Sequence, residues 1–267
     1  MKKLKLITMI LIFVCGGQQV SGQQKEFKIN LSGSAGDNQL QIAYMAAKLN
    51  ITGHAGNEII IKSDVEIKIP EKAKGLQPLS SNGPDNTGIG LHALYENGVA
   101  KISGVGKSEN NGRITYNIMV PKSLNIKIDY KSFNAGDIYI EGLTGEVEIN
   151  ANSSELKLKS VSGPVILHTL NKGIEIEFAQ VNQQKPSSIS SINGAIEIIM
   201  SANTPANFKF NAINGEIYTD LNLKFNEEKN GLQRVGGGLR SKASNAGGGV
   251  DIDINAINGN VYLKKAG

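Results

Sequence analysis

A short glycine-centred phrase recurs through the second half of the chain and constrains the fold more than any other feature. It consists of a glycine, any residue, an isoleucine or valine, a polar residue and a further apolar residue. Six glycines begin a copy: Gly136, Gly145, Gly163, Gly194, Gly215 and Gly259. Because a fixed phrase at intervals is the mark of a repeat architecture, these copies predict a stack of similar β-units.

The intervals between the glycines indicate the size of the unit. From Gly145 to Gly259 they are 18, 31, 21 and 44 residues. Two intervals are near twenty, and we interpret the others as one unit plus an insertion. The larger excess falls at Asn226–Gly249, which holds two glycine triplets, and the smaller at Gln180–Ser188; both are predicted to be loops. Strands at this period without helices favour a single-stranded right-handed parallel β-helix, or β-solenoid, with coils of about 20 residues.

Alternating apolar and charged residues predict strands along the rest of the chain. Examples are Glu58–Lys62, Val65–Ile69 and Asn125–Asp129. Asp37–Leu49 is the one helical candidate, but its alternation favours strand, and the polar Pro70–Gly90 is predicted to be a surface loop. We therefore predict an all-β protein with one domain over residues 23–267, less regular over 23–135 and clearly repetitive over 136–264.

The glycines and asparagines of the phrase are predicted to make the sharp turns between strands, because glycine accepts a positive φ and asparagine tolerates it. The predicted turn positions are Gly136, Gly145, Gly163, Asn193, Gly194, Asn214, Gly215, Asn258 and Gly259. The same Asn-Gly pair closes β-hairpins, so an antiparallel meander is the alternative.

In a solenoid the apolar residues of the phrases would form internal ladders. One ladder would hold Ile192, Ile213 and Ile257, and the next Ile196, Ile217 and Val261. Lys264 and Lys265 follow the last phrase and are expected to guard the open edge of the final coil against association.

The N-terminus predicts export. Three lysines precede the apolar Leu6–Val14, which is too short to span a bilayer, and the small residues before Gly22 fit a cleavage site. Residues 1–22 are therefore interpreted as a signal peptide, with the exported chain beginning near Gln23. Export places the protein in the periplasm, at the cell surface or outside the cell.

Cys15 is the single cysteine and lies within this segment. Bulky residues precede it where a lipoprotein signal has a small one, so we expect it to be discarded rather than acylated. The exported chain then has no disulfide and no cysteine nucleophile.

Charge excludes one class of partner. The formal net charge is +4, but Lys2, Lys3 and Lys5 belong to the signal, so the exported chain carries about +1. No basic block remains to neutralise phosphates, and nucleic acid is excluded as a partner. No later stretch reaches the roughly 18 apolar residues of a membrane span, so no integral membrane segment is expected after processing.

No motif for catalysis, cofactor or metal binding is found. The three histidines lie far apart, and neither a nucleophile elbow nor a phosphate loop occurs. Three acidic pairs at strand spacing are the candidates for glycoside chemistry: Glu146/Glu148, Glu175/Glu177 and Asp251/Asp253. Since they alternate with apolar residues, we predict instead that they face solvent and pair with lysines of neighbouring coils such as Lys157, Lys159 and Lys172. Asp251/Asp253 and Asp85-Asn86 offer oxygen ligands for calcium, but match no calcium-binding loop.

With its six glycine phrases and its signal peptide, the chain resembles the bacterial β-strand-repeat proteins of the adhesin-like family, exported domains of unknown function. The resemblance is close over Gly136–Leu263 and looser before it. It implies an exported β-solenoid, and the family offers no catalytic motif to carry over.

The leading hypothesis is a non-catalytic binding or structural module of the cell envelope whose partner is envelope material, a glycan or a protein. One alternative is a carbohydrate-active enzyme, a polysaccharide lyase or hydrolase on the same scaffold, which would need carboxylates of neighbouring coils to converge beneath a loop. Another is an accessory or sensor domain of an envelope signalling system.

Overall fold

The fold is known from a computed structural model that describes residues 26–63, 71–73, 75–76, 81–105, 114–225, 233–235 and 238–267. The predicted signal peptide, Cys15, Gln23 and the predicted strand Val65–Ile69 lie outside the described residues. The described chain contains two three-residue 3-10 helices, Ala35–Asp37 and Glu71–Ala73, and its remaining regular structure is strand. None of its helices has the length and apolarity to cross a membrane.

Eleven strands occupy the first part of the chain: β1 (Glu26–Asn30), β2 (Gln39–Ala43), β3 (Lys48–His54), β4 (Glu58–Ser63), β5 (Leu91–Glu96), β6 (Val99–Gly104), β7 (Thr115–Pro121), β8 (Asn125–Tyr130), β9 (Ile138–Glu141), β10 (Val147–Ala151) and β11 (Leu156–Val161). Eleven more follow: β12 (Val165–Thr169), β13 (Ile174–Phe178), β14 (Ser187–Ser191), β15 (Ile196–Met200), β16 (Ala206–Ala212), β17 (Ile217–Thr219), β18 (Lys224–Phe225), β19 (Gln233–Val235), β20 (Gly238–Asn245), β21 (Val250–Ala256) and β22 (Val261–Lys265).

The strands form two sheets. Sheet A has the order β1-β4-β7-β3-β9-β11-β13-β15-β22-β17, and sheet B the order β18-β20-β16-β21-β14-β12-β10-β8-β2-β6-β5, with β19 also paired to β20. The central strands of both sheets pair in parallel, whereas antiparallel pairs such as β1–β4, β5–β6 and β16–β20 lie at the ends. The all-β prediction is confirmed, and the antiparallel meander is wrong for the repeat region.

A coil consists of one strand in sheet B followed by one strand in sheet A. Paired residues of successive coils lie 18, 21 or 22 positions apart, which agrees with the predicted coil length. The alternation seen in the sequence places the apolar residues of both sheets inside a shared core, with residues such as Ile149, Leu158 and Ile176 almost fully buried. The polar residues between them form two outer faces. Asp37–Leu49 contributes β2 and the start of β3, as its alternation predicted.

The coils do not stack in chain order at either end. The coil β2/β3 lies between the coils β6/β7 and β8/β9, and the last coil, β21/β22, lies between β14/β15 and β16/β17.

The predicted ladder of Ile196, Ile217 and Val261 does form, but Val261 is its middle member. The other predicted ladder is half-buried rather than internal, because Ile192, Ile213 and Ile257 lie in the turns after their strands. β22 lies between β15 and β17, but its pairing with β17 ends at Leu263. That Lys264 and Lys265 guard an open edge therefore stays a prediction.

The repeat glycines are needed for a different reason from the one the sequence suggested. None of the nine predicted turn positions has a positive φ. Instead, the coils approach each other so closely that a Cβ on Gly259 would lie 2.2 Å from the carbonyl oxygen of Gly194, and a Cβ on Gly215 would lie 2.0 Å from that of Gly259. The left-handed Asn-Gly pair occurs at Asn97-Gly98, with φ values of 50° and 77°, where it closes the antiparallel hairpin β5–β6.

Two kinds of turn share the glycine phrase. Gly145 and Gly163 lie in turns from sheet A to sheet B, whereas the other four phrase glycines lie in turns from sheet B to sheet A. The interval of 31 residues therefore spans about one and a half coils, and the interpretation of one coil plus an insertion is wrong. The interval of 44 does contain an insertion, but Asn226–Gly249 is not all loop, since β19 and the eight-residue β20 lie within it.

Of the predicted surface loop Pro70–Gly90, the described residues 81–90 lack strand, as predicted.

The asparagines of the repeat form a ladder of side-chain amides along one edge of the stack. Asn214 donates to Asn258 (2.8 Å), Asn258 to Asn193 (2.8 Å) and Asn193 to Asn171 (3.0 Å). The order of the ladder repeats the order of the coils. Asparagine is therefore used at these turns for hydrogen bonds between coils.

Candidate functional site

The acidic pairs singled out from the sequence lie on the outer faces, where lysines of other coils neutralise several of them. Lys127 Nζ lies 2.8 Å from Glu148, Lys157 Nζ 2.8 Å from Glu175, and Lys185 Nζ 2.9 Å from Glu146. The hydrogen bond to Glu175 raises the pKa of Lys157, which favours the ammonium form of this lysine. The predicted pairing between coils is confirmed for these acids, with Lys157 the partner among the three lysines named from the sequence.

The three acidic pairs do not meet. Glu175 and Glu177 project from β13 on the outer face of sheet A, whereas Glu148 and Asp253 project from sheet B. Within sheet B, β10 and β21 are separated by β12 and β14, so Glu148 and Asp253 lie roughly 14 Å apart at a strand spacing of 4.7–4.9 Å. The arrangement that a glycosidase requires, two carboxylates flanking one bond, is not built from these residues of neighbouring coils.

Two of the three histidines form hydrogen bonds within the chain, and the third lies on the outer face of sheet B. His54 accepts the N–H of Gly56 at 2.9 Å, and His92 Nδ1 lies 2.8 Å from the carbonyl oxygen of Pro84. His168 is half-buried on the outer side of β12. Across the described ranges, no group of three or more His, Cys, Asp or Glu side chains is arranged to hold a metal ion.

A depression of about 500 Å³ opens on the outer face of sheet B near its C-terminal end. We call it the C-terminal depression. Its lining includes six residues with polar side chains, together with Gly247: Asn207, Lys209, Lys242, Ser244, Asp251 and Asp253. It lies over β16, β20 and β21, beside the turn that follows β20.

Strand pairing places these side chains in two rows. Lys209 lies opposite Lys242 on one side and Asp253 on the other, so three charges form the first row. Ser244, Asn207 and Asp251 form the second row in the same register. These residues point outward because the alternate positions are buried, among them Phe208, Ala243 and Ile252.

The floor beneath the rows is firmly packed. Phe208 and Phe210 are each 2% exposed, and their rings stack with centroids 5.5 Å apart. Ala243 is buried beside them. Both rings belong to β16, and their burial anchors this strand in the core beneath the outer side chains.

Contacts within the depression are looser than those of the central coils. Lys209 Nζ is 3.9 Å from Asp253, and Asn207 Nδ2 donates to Asp251 at 3.1 Å and to the carbonyl oxygen of Gly249 at 2.7 Å. Lys242 has no ion pair within the described part of the chain. The site therefore offers both cationic donors and carboxylate acceptors that are only partly engaged.

The comparisons with known proteins place the chain in a family. The sequence profile of the Toastrack DUF4097 family matches residues 18–264. The chain belongs to this family. The resemblance drawn from the glycine phrases is thereby confirmed, and no curated protein matches the chain.

Among the solved structures similar to this Toastrack DUF4097 chain are three bacterial proteins. A "putative cell adhesion protein" from Clostridium sporogenes is 14% identical, with a TM-score of 0.43, covering 91% of this chain and 100% of its own. A "putative adhesin" from Bacteroides fragilis is 10% identical, with a TM-score of 0.26, covering 94% and 100%. Another from Parabacteroides distasonis is 11% identical, with a TM-score of 0.26, covering 92% and 98%.

A second polar-aromatic surface of the Toastrack DUF4097 chain lies on sheet A. Tyr218 and Tyr262 stack there with ring centroids 5.4 Å apart. Tyr218 donates to Glu216, which raises the pKa of Tyr218, and Asn260 donates to the hydroxyl of Tyr262 at 3.1 Å. Since both hydroxyls and the facing ring surfaces are used within the chain, this pair offers fewer free groups than the C-terminal depression.

Sequence reasoning found only part of the C-terminal depression. Asp251 and Asp253 were recognised from their strand spacing, but the two lysines were not. Lys242 lies in a glycine-rich segment whose composition predicts a loop, so its place in β20 was hidden. The alternation of Arg240, Lys242 and Ser244 with small residues was the signal that could have revealed the strand.

Proposed function

We propose that this Toastrack DUF4097 chain is an exported, non-catalytic binding module of the bacterial cell envelope, adhesin-like in its role, and that the C-terminal depression holds its ligand. The observation that carries the proposal is the depression itself. Its volume of about 500 Å³ lies within the range of ligand sites, roughly 300–1,000 Å³. Its lining combines amide, hydroxyl, ammonium and carboxylate groups on a packed sheet.

The lining favours a hydroxyl-rich ligand such as a glycan. Sugar hydroxyls both donate and accept hydrogen bonds, and the depression offers acceptors on Asp251 and Asp253 together with donors on Lys209 and Lys242. An apolar ligand would leave these groups without partners, at a cost in binding free energy. A glycan of the envelope is therefore the partner we propose.

Binding rather than turnover is supported by the state of the carboxylates. Glu146, Glu148 and Glu175 are engaged by lysines; Glu175 lies on sheet A, and Glu148 lies roughly 14 Å from Asp253 on sheet B. The alternatives are a polysaccharide lyase or hydrolase and an accessory domain of an envelope signalling system. The first predicts product formation, and the second predicts a protein partner in place of a glycan.

The proposal extends to the architecture and the location. A single right-handed solenoid domain over 23–267 is supported by the parallel pairing of successive coils, because connections between parallel strands of one sheet are right-handed in about 98% of cases. Export is supported by the N-terminal pattern of lysines, apolar run and small residues. It puts the depression in contact with material outside the cytoplasm.

A glycan array combined with a polysaccharide-cleavage assay, with and without calcium, tests the proposed function. We expect the purified protein to bind glycan without product formation. The variants Asn207→Ala and Asp251→Ala should each weaken binding about tenfold, the size of a lost hydrogen bond to a charged group. Asn150→Ala, on the same face but over the central coils, serves as the matched control. Product formation, or binding that survives both depression variants, would overturn the proposal.

A further inference from the structure

We propose that the C-terminal depression recognises an acidic sugar, a uronic acid residue of a polysaccharide whose carboxylate lies between Lys209 and Lys242. This inference rests on the proposed binding function and adds the chemical class of the ligand. It is carried by the charge pattern of three neighbouring strands.

Lys209 and Lys242 lie directly opposite each other in the antiparallel pair β16–β20. Like charges in directly opposed positions destabilise a sheet. On the central coils Lys127 lies opposite Glu148 and Lys157 opposite Glu175. Glu175 and Glu197 are also opposed like charges there, but each has a lysine Nζ at 2.8 Å. The opposed lysines differ from that pair because, among the described residues, neither has a carboxylate at hydrogen-bond distance.

Neither lysine is neutralised as the central ones are. Lys209 lies 3.9 Å from Asp253, compared with 2.8 Å for Lys127 and Glu148. Within the described residues, Lys242 has no ion pair at all. A carboxylate held between the two ammonium groups would accept a charge-assisted hydrogen bond from each and offset their mutual repulsion. Both effects favour the binding of an anion at this place.

Further cations surround the pair. Arg240 lies two residues from Lys242 on the same side of β20, and Lys224 on β18 lies opposite Ser244. Both side chains are exposed. Four cations on three neighbouring strands raise the local concentration of anions and hasten their association.

The aspartates of the depression select a sugar over a bare anion. Asp253 lies in the row of the two lysines and Asp251 in the neighbouring row, and both would repel phosphate or sulfate. They accept hydrogen bonds from hydroxyl groups, as does the amide oxygen of Asn207. A uronic acid carries both the anion and the hydroxyl donors, so it fits both halves of the lining at once.

The test uses acidic polysaccharides and their neutral counterparts. Binding of the purified protein is measured by calorimetry to polygalacturonate, alginate and hyaluronate, each beside its own methyl ester, and to inorganic phosphate and sulfate. We expect at least one acidic polymer to bind at least about tenfold more tightly than its ester, the effect of losing a charge-assisted contact. That binding should weaken with added salt, because the cations are exposed to solvent.

Variants locate the carboxylate. Lys209→Gln and Lys242→Gln should each reduce binding of the acidic polymer about tenfold, whereas Lys127→Gln on the central coils should leave it unchanged. Lys242→Glu should abolish binding while the melting temperature stays the same or rises, since the new acid faces Lys209. Loss of binding with an intact fold separates ligand recognition from a structural role.

The outcomes distinguish this inference from the proposed function. Equal binding of acid and ester, or binding of neutral glycans alone, overturns the acidic ligand and leaves the binding module in place. Equally tight binding of phosphate or sulfate overturns the selection of a sugar. Absence of any glycan binding on the array overturns the proposed function itself.

Discussion

The central coils and the C-terminal end use the same strands and turns for different purposes. Between β8 and β13 the coils stack in chain order, and lysines lie opposite acids on both outer faces. At the C-terminal end the last coil is inserted out of order, an antiparallel strand is added, and two lysines lie opposite each other. The regular part is arranged for stability, whereas the irregular part carries the unpaired charges and the depression.

Insertion of the last coil is what assembles the depression. Because β21 enters between β14 and β16, it brings Asp251 beside Asn207, 44 positions earlier in the chain. β16 is thereby displaced outward and pairs with β20 on its far side. In strict chain order β21 would occupy the far side of β16, where β20 pairs with it here.

Among the changes that test the difference between the two regions, removal of the last coil should have the largest effect on stability. Deletion of residues 250–267 removes four large buried side chains, Ile252, Ile254, Val261 and Leu263, besides the smaller Ala256. At about 2 kcal/mol each, their loss of about 8 kcal/mol is comparable with the whole stability of a domain. Native-state hydrogen exchange should show β16 unprotected and β8 to β13 still protected. Protection of β16 in the shortened chain would mean that the coils at this end hold together without the insertion.

A methyl group at the stacked turn should have the next largest effect. In Gly259→Ala the new Cβ would meet the carbonyl oxygen of Gly194 at 2.2 Å, and neither backbone can yield easily. We expect a loss of about 3 kcal/mol in the free energy of unfolding, at the upper end for overpacking. Gly142→Ala is the control, since its φ is +72° and no atom lies within 4 Å; it should lose about 1 kcal/mol through backbone strain alone. Equal losses in urea unfolding would contradict the close-approach explanation.

Interrupting the amide ladder should have a moderate effect. Asn258 donates to Asn193 and accepts from Asn214, so Asn258→Ala removes both bonds and should cost about 1 kcal/mol. Asn150→Ala, which removes one long contact of 3.5 Å to Asp129 over the central coils, should cost less than about 0.5 kcal/mol. Thermal unfolding of the two variants measures the difference. If the melting temperatures of the two variants fall by the same amount, the amide ladder adds no stability beyond that of an ordinary surface contact.

Charge reversal should have the smallest effect and opposite signs in the two regions. Lys242→Glu places an acid opposite Lys209 and should stabilise the protein by about 0.5 kcal/mol. Glu148→Lys creates an opposed lysine pair in the central coils and should destabilise the protein by a similar amount. Both shifts should shrink at high salt. A destabilising Lys242→Glu would show that the opposed lysines are not in conflict in the free protein.

Strand positions could be predicted from the sequence because apolar residues alternate with polar ones along each strand. Coil length could be predicted because the glycine phrases recur at multiples of about half a coil or a whole coil. β2 and β3 were recognised in this way within Asp37–Leu49, where composition alone suggested helix. Charge pairs such as Lys157 with Glu175 followed from the same alternation. The purpose of the repeat glycines was misjudged, because a close approach between coils depends on which backbone lies alongside.

The sequence by itself determined that this chain is a stack of β-coils with apolar residues inside and polar residues outside, because each strand encodes its two faces locally. Only the tertiary structure decided the order of the coils. Coils with nearly identical apolar patterns can stack on one another in any order, so the order depends on the connections and on packing between distant segments. The place of β20, the opposed lysines and the C-terminal depression follow from that order, and no local pattern contains them.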